Sequence, residues 1–251
     1  MIGRPVPRKE GRDKVTGRAL YVDDVSLPGM LYGVTVRSPV AHGVIRAIRY
    51  DVDLPWNEIV VATAADIPGE NVVATIVDDQ PLLASGIVNH PEEPLVLLAH
   101  ADRTIAEKAR AAVRFEIDPL PPEEPRVLKS YLVEKGNVDE VWARADHVVE
   151  GEYETGAQEQ LYIEPQGMIA MADPESGVTV RGSMQCPYYV HKALKRVFGL
   201  PDGKVRVVQM ETGGGFGGKE EYPSIIAAHA ALLAWKSGRP VKIVYDRAED
   251  M

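Results

Sequence analysis

Residues 213–220 read Gly-Gly-Gly-Phe-Gly-Gly-Lys-Glu. Five glycines around one phenylalanine leave the backbone almost without side-chain cover, so its amide N–H groups can approach a ligand closely. Residues 205–210, just before the run, are rich in valine and predict a strand; residues 225–235, just after it, predict an apolar helix. Strand, glycine turn and helix N-terminus in that order form a geometry that binds anionic cofactors. The nature of that cofactor decides the function.

Two nucleotide-binding patterns fit some of the letters. Gly213, Gly218 and Lys219 satisfy the first part of a phosphate-binding P-loop, but Glu220 stands where a Ser or Thr hydroxyl would meet magnesium. Gly213, Gly215 and Gly218 match G-x-G-x-x-G, and a later strand over 241–245 ends in an acid, Asp246. Against a dinucleotide, Glu220 and Glu221 are expected in the first helical turn, where their charges would repel a pyrophosphate. A purely structural glycine turn is the plain alternative.

The rest of the chain narrows the class. Its 251 residues suffice for one large or two medium domains, and 45% hydrophobic with 26% charged residues is an ordinary globular composition. A net charge of −9 argues against a nucleic-acid partner, which requires a basic face. No apolar run is long enough to span a bilayer, and the first residues show no secretory h-region, so a cytoplasmic location is expected. One cysteine, Cys186, excludes an internal disulfide and an iron–sulfur cluster held by this chain alone. The six histidines show no metal-ligand spacing and are read as structural.

Strands are predicted over 31–37, 44–50, 59–63 and 95–99, followed by a helix through residue 113 opened by a capping box of Thr104 and Glu107. Residues 118–125 hold four prolines and predict a linker. A short helix over 138–145 follows, with Asn137 and Glu140 spaced as an N-cap pair. Further strands are predicted over 148–153, 167–171 and 178–184, the last two joined as a hairpin by the turn residues 173–177. A helix from about residue 188 ends at Gly199. The last residues, 246–251, look like the start of a new element, and the chain is expected to be the N-terminal piece of something larger.

The glycine loop in this setting resembles the molybdopterin-binding subunit of the xanthine dehydrogenase and aldehyde oxidase family. The opening residues 3–8 and 13–24, Arg37-Ser-Pro-Val-Ala-His-Gly43 and Glu93-Pro-Leu-Val-Leu-Leu98 are similar to that subunit's first domain. Gln185 stands 31 positions before Phe216, a spacing at which the family pairs a glutamine with the loop. The resemblance covers essentially the whole chain and implies an α/β (α+β) architecture. An α/β hammerhead domain over 1–122, a linker over 123–136 and an incomplete molybdopterin-binding domain over 137–251 are expected. It implies hydroxylation of an N-heterocycle or an aldehyde with water as the oxygen source, and electrons passed onward. Molybdenum would be held by the pterin dithiolene rather than by protein thiolates, so no metal ligand is expected in the chain. A cofactor of this kind carries the hard chemistry while the protein positions and polarises it.

By the same resemblance, Gln185 would hydrogen-bond the molybdenum oxo group, and Gly215, Phe216 and Gly217 would line the metal face. Glu220 would orient substrate from a partly desolvated pocket and hydrogen-bond a ring nitrogen. Lys219 is read as structural, Cys186 as a small buried hydrophobe, and a core anchor is the other reading of Phe216. The family continues for several hundred residues further, through most of the pterin contacts and the general-base glutamate. The isolated chain is therefore expected neither to retain the cofactor nor to turn over. Expected partners are the C-terminal molybdopterin-binding polypeptide, a [2Fe–2S] subunit and an FAD subunit. The alternatives are a truncated non-catalytic fragment or assembly component, and a dinucleotide-binding protein.

Overall fold

The structure is a computed structural model and describes residues 2–50, 54–73, 77–122 and 124–251. A short helix α1 (Gly11–Val15) precedes strands β1 (Leu31–Arg37), β2 (Gly43–Tyr50), β3 (Val60–Ala62), β4 (Ile87–Val88) and β5 (Pro94–His100). Helix α2 (Arg103–Ala112) leads into β6 (Val113–Pro119), and helix α3 (Val138–Trp142) follows. The chain then forms β7 (Gly167–Asp173), β8 (Gly177–Gly182), α4 (Pro187–Phe198), β9 (Val205–Gln209), α5 (Pro223–Ser237), β10 (Val241–Val244) and α6 (Arg247–Asp250).

Two compact units result, residues 2–121 with 160–251, and residues 122–159. Among the described residues of the first unit, one sheet has the order β3-β5-β1-β10-β7-β8-β9 and a second has β4-β2-β6. Pairing is antiparallel except for β1 with β10 and β8 with β9, which run parallel. The expected boundary at residues 118–125 separates strands in sequence that share one sheet in space. Leu31 pairs with Val241 across the join.

Helix α5 explains why the large sheet coheres. Its residues from Pro223 to Ala234 are all buried, so it has no solvent face and needs apolar cover all round. It receives that cover from β7, β3, β10 and α4. Leu31, Met168, Ala170, Val180, Leu194 and Ile243 belong to the same core. The second core lies under α2, where Ala106 and Ala109 let the helix approach Val34, Val36, Val96 and Leu98 closely.

Several local expectations are corrected. Helix α2 is capped by Asp102, whose carboxylate accepts from the Thr104 amide at 2.7 Å; the helix begins at Arg103, so Thr104 lies inside it. Asp is a strong cap in an extended conformation, and it displaces the Thr104–Glu107 box. Strand β6 runs on through Asp118 and Pro119, pairing them with Val44 and Gly43, because an edge strand tolerates proline at its end. Of the expected linker, Glu123 lies outside the described residues.

In the 122–159 unit, α3 is shorter than expected, and the Asn137 side chain accepts from the Glu140 amide at 3.1 Å, as its cap spacing predicts. Residues 148–153 form no strand: Val149 and Tyr153 are exposed, and no strand partner for them exists among the described residues. The hairpin β7–β8 forms over the turn at 173–177, and α4 ends at Gly199 with φ 61°. No helix among the described residues is long and apolar enough to cross a membrane.

Candidate functional site at the glycine loop

Strands β8 and β9 are neighbours and parallel, so the segments that follow them leave the sheet at the same end. The segment after β8 carries Gln185, and the segment after β9 is the glycine loop. Met210 N donates to Gly182 O at 2.9 Å and Gln209 Nε2 to Met184 O at 2.6 Å, which holds the two exits side by side. Residues 31 positions apart are thereby brought together.

The contact between them is specific. Gln185 N donates to Lys219 O at 2.6 Å. Gln185 Oε1 accepts from Gly217 N at 3.0 Å and from Lys219 N at 3.2 Å. Two backbone donors on one amide atom fix that atom as the oxygen. Nε2 is therefore the remaining donor of this exposed side chain. Gly215 permits the crossing: a Cβ there would overlap Gln185 Oε1 and lie 2.6 Å from Gln185 Cδ. Its small size is needed by the protein's own glutamine, a constraint in addition to any ligand. Gly217, at φ +98°, is in the left-handed region that favours glycine.

Phe216 also has positive φ, 50°, which is unfavourable for a residue with a side chain, and its ring is 77% exposed. It is not a core anchor. The amides of Gly214, Gly215 and Phe216 make no hydrogen bond within the chain among the described residues. The Gly214 and Phe216 amides, the exposed ring of Phe216 and the remaining Nε2 donor of the exposed Gln185 lie at this loop and can serve oxygen or anionic ligands, while Gly215 itself is buried beneath them.

Glu220 and Glu221 are exposed, and both precede α5 rather than occupying its first turn. Pro223 sets this start, since its fixed φ and missing N–H suit the first helical position. The expected desolvated pocket around Glu220 is not formed by the described residues. Cys186 is half-buried at the N-terminus of α4 rather than fully buried, and its side chain makes no cap hydrogen bond.

Sequence reasoning missed what lies beneath the loop. Lys219 is 0% exposed and its ammonium donates to Glu164 O at 2.6 Å, Glu164 Oε2 at 3.1 Å and Ser183 Oγ at 2.9 Å. The Tyr162 ring centroid lies 4.6 Å from Nζ. Burial pushes the lysine below its ordinary pKa, while the Glu164 carboxylate opposes that change. Glu164 Oε2 also accepts from Gly213 N at 2.7 Å and Ser183 Oγ at 2.7 Å. Gln166 Nε2 donates to Gly218 O at 2.7 Å. Nothing in the letters marks Glu164.

Among the described residues no group of three or more His, Cys, Asp or Glu side chains could hold a metal ion. The donors at the loop nevertheless fit a cofactor that brings its own metal ligands. Backbone amides and one carboxamide offer hydrogen bonds, and Gly217, with open space where a Cβ would sit, leaves room for close approach.

Comparison with known proteins agrees with this fit. Residues 16–121 match the family model for the aldehyde oxidase and xanthine dehydrogenase a/b hammerhead domain, and residues 121–251 match that for the molybdopterin cofactor-binding domain. A probable xanthine dehydrogenase subunit of Bacillus subtilis (strain 168) is 33% identical over 97% of this chain and 35% of its own length. The nicotinate dehydrogenase large molybdopterin subunit of Eubacterium barkeri is 29% identical over 99% of this chain and 62% of its own. The crystal structure of quinoline 2-oxidoreductase from Pseudomonas putida 86 superposes with a TM-score of 0.82 at 27% identity, covering 99% of this chain and 35% of that one. The chain thus spans about a third of the length of the Bacillus protein and under two thirds of the Eubacterium protein.

Proposed function

Because the chain belongs to the xanthine dehydrogenase and aldehyde oxidase family of molybdenum hydroxylases, we propose that it supplies the first part of the molybdopterin-binding subunit in a multi-subunit enzyme of this kind. The observation that carries the reading is the junction of the exposed Gln185 with the glycine loop, which engages Gln185 Oε1 with Gly217 N and Lys219 N and leaves its Nε2 and the amides of Gly214 and Phe216 without a partner among the described residues. When bound, the molybdenum–molybdopterin cofactor supplies the two-electron oxidation, in which an N-heterocycle or aldehyde is hydroxylated with oxygen from water.

The chain's own residues position and polarise. Gln185 donates from Nε2 to the cofactor, and Gly215, Phe216 and Gly217 line its face. Phe216 also excludes water, because an exposed ring on a strained backbone gains by being covered. Glu220 orients substrate by hydrogen-bonding a ring nitrogen, which favours N-heterocycles over simple aldehydes. Its exposure in this chain is in keeping with a pocket completed by another part of the enzyme.

The remaining pterin contacts come from the C-terminal molybdopterin-binding polypeptide, and electrons leave through [2Fe–2S] and FAD subunits. The 122–159 unit, with Val127, Leu128, Leu132, Val133 and Val149 exposed, is covered in that assembly.

The test is a native pull-down of the tagged chain from its host with elemental analysis. Co-purification of a second polypeptide with about one molybdenum and about four irons, for one cofactor and two [2Fe–2S] clusters, is expected. A metal-free chain without partners would overturn the catalytic reading in favour of a non-catalytic fragment.

A further inference from the structure

We propose that Glu164 and Lys219 are positioning residues that clamp the two ends of the glycine loop to a single carboxylate, holding Gln185 and the loop backbone in register. What the loop is held for rests on the function proposed above; the clamp itself does not.

A loop with five glycines in residues 213–218 has unusually wide backbone freedom and adopts one shape only if anchored from outside. Both anchors converge on Glu164. At the entry, Glu164 Oε2 accepts from Gly213 N at 2.7 Å, and Glu164 N donates to Gly213 O at 3.3 Å. At the exit, the Lys219 ammonium is bound to Glu164 Oε2 at 3.1 Å and to Glu164 O at 2.6 Å. Ser183 Oγ bridges the two, donating to Glu164 Oε2 at 2.7 Å and accepting from Lys219 Nζ at 2.9 Å. Between the anchors, Gln185 Oε1 takes the amides of Gly217 and Lys219.

The chemistry is costly for a purely structural purpose. A buried ammonium must be desolvated, and apolar side chains of similar volume commonly stabilise a core as well or better. A methionine could fill the space of Lys219 without a counter-charge. What an apolar residue cannot do is reach the same oxygen that holds Gly213. The clamp also accounts for the disposition at the exit, where Lys219 is drawn inward and Glu220 stands exposed beside it.

The test compares the full chain with Glu164→Gln and with the double variant Glu164→Gln/Lys219→Met. Hydrogen exchange is followed by mass spectrometry in peptides from the loop and from α5. The hydrogen-bonded loop amides, those of Gly213, Gly217, Gly218 and Lys219, are expected to exchange at least about tenfold faster in both variants, with α5 within about threefold of wild type. The double variant leaves no unpaired buried charge, so it carries the test if Glu164→Gln fails to fold. Its urea midpoint is expected to stay near that of wild type while its loop remains loosened. Unchanged loop exchange in a folded variant, or restored protection in the double variant, would overturn the clamp. If wild-type assemblies lack molybdenum while loop exchange responds as stated, the functional reading fails and the clamp stands.

Discussion

His229 should make the chain markedly less stable in mild acid. It lies in the middle of α5 at 0% exposure, with Nε2 3.1 Å from Leu82 O and Nδ1 3.5 Å from Thr35 Oγ. Burial depresses its pKa to about 3; the Leu82 carbonyl works against that, and the Arg37 charge adds to it. A depressed folded pKa means that the native state binds fewer protons than the unfolded chain. The stability it confers is fully present above the unfolded value near 6.5 and is lost progressively as pH falls toward about 3. At about 1.4 kcal/mol per pH unit, moving from about pH 7.5 to about pH 5 removes about 2 kcal/mol through this one group. The whole window would remove about 5 kcal/mol at most.

Urea unfolding followed by circular dichroism at the two pH values measures the loss. Comparison with His229→Gln cancels the carboxylates and the opposing contribution of Glu249, whose pKa burial raises against the pull of Arg37 and Arg110. Wild type should lose about 2 kcal/mol more than the variant over this interval. Equal losses would refute the assignment of a neutral, buried imidazole. The absolute stability of the variant does not enter, because only the difference between pH values is compared.

Two further outcomes concern the loop. Gly215→Ala should displace the Gln185 side chain and cost about 1–3 kcal/mol, the scale of its two hydrogen bonds to Gly217 and Lys219. In a Gln185→Ala background the same change should cost much less, and a double-mutant cycle in urea unfolding checks this; additive effects would count against the contact. In the assembled enzyme, Gln185→Ala and Glu220→Gln should each lower kcat/KM by roughly 10–1,000-fold, as expected for a lost transition-state contact. Full turnover in both would remove them from the site.

Much of the fold was legible because local rules sufficed. The strand over residues 31–37, the hairpin turn at 173–177, the Gly199 helix end and the Asn137 cap depend on side chains close in sequence. Errors arose where a competitor stood just outside the pattern. Asp102 outcompeted Thr104 as a cap, and Pro223 delayed α5 so that Glu220 and Glu221 fell before it. The strand expected at 148–153 had the right residues and no neighbour with which to pair among those described.

The sequence by itself determined the family and most of the element types, which rest on residue identity and local pattern, and the pairing of Gln185 with the glycine loop was what the family resemblance implied. Only the tertiary structure decided how that pairing is made. Parallel neighbours β8 and β9 deliver both segments to one end of the sheet, a relation invisible in their order along the chain. It also decided that Glu164, 49 positions before Gly213 and 55 before Lys219, closes the loop from below. Contacts at such separations follow from sheet topology and from the cost of leaving a buried charge unpaired, and neither leaves a local mark in the sequence.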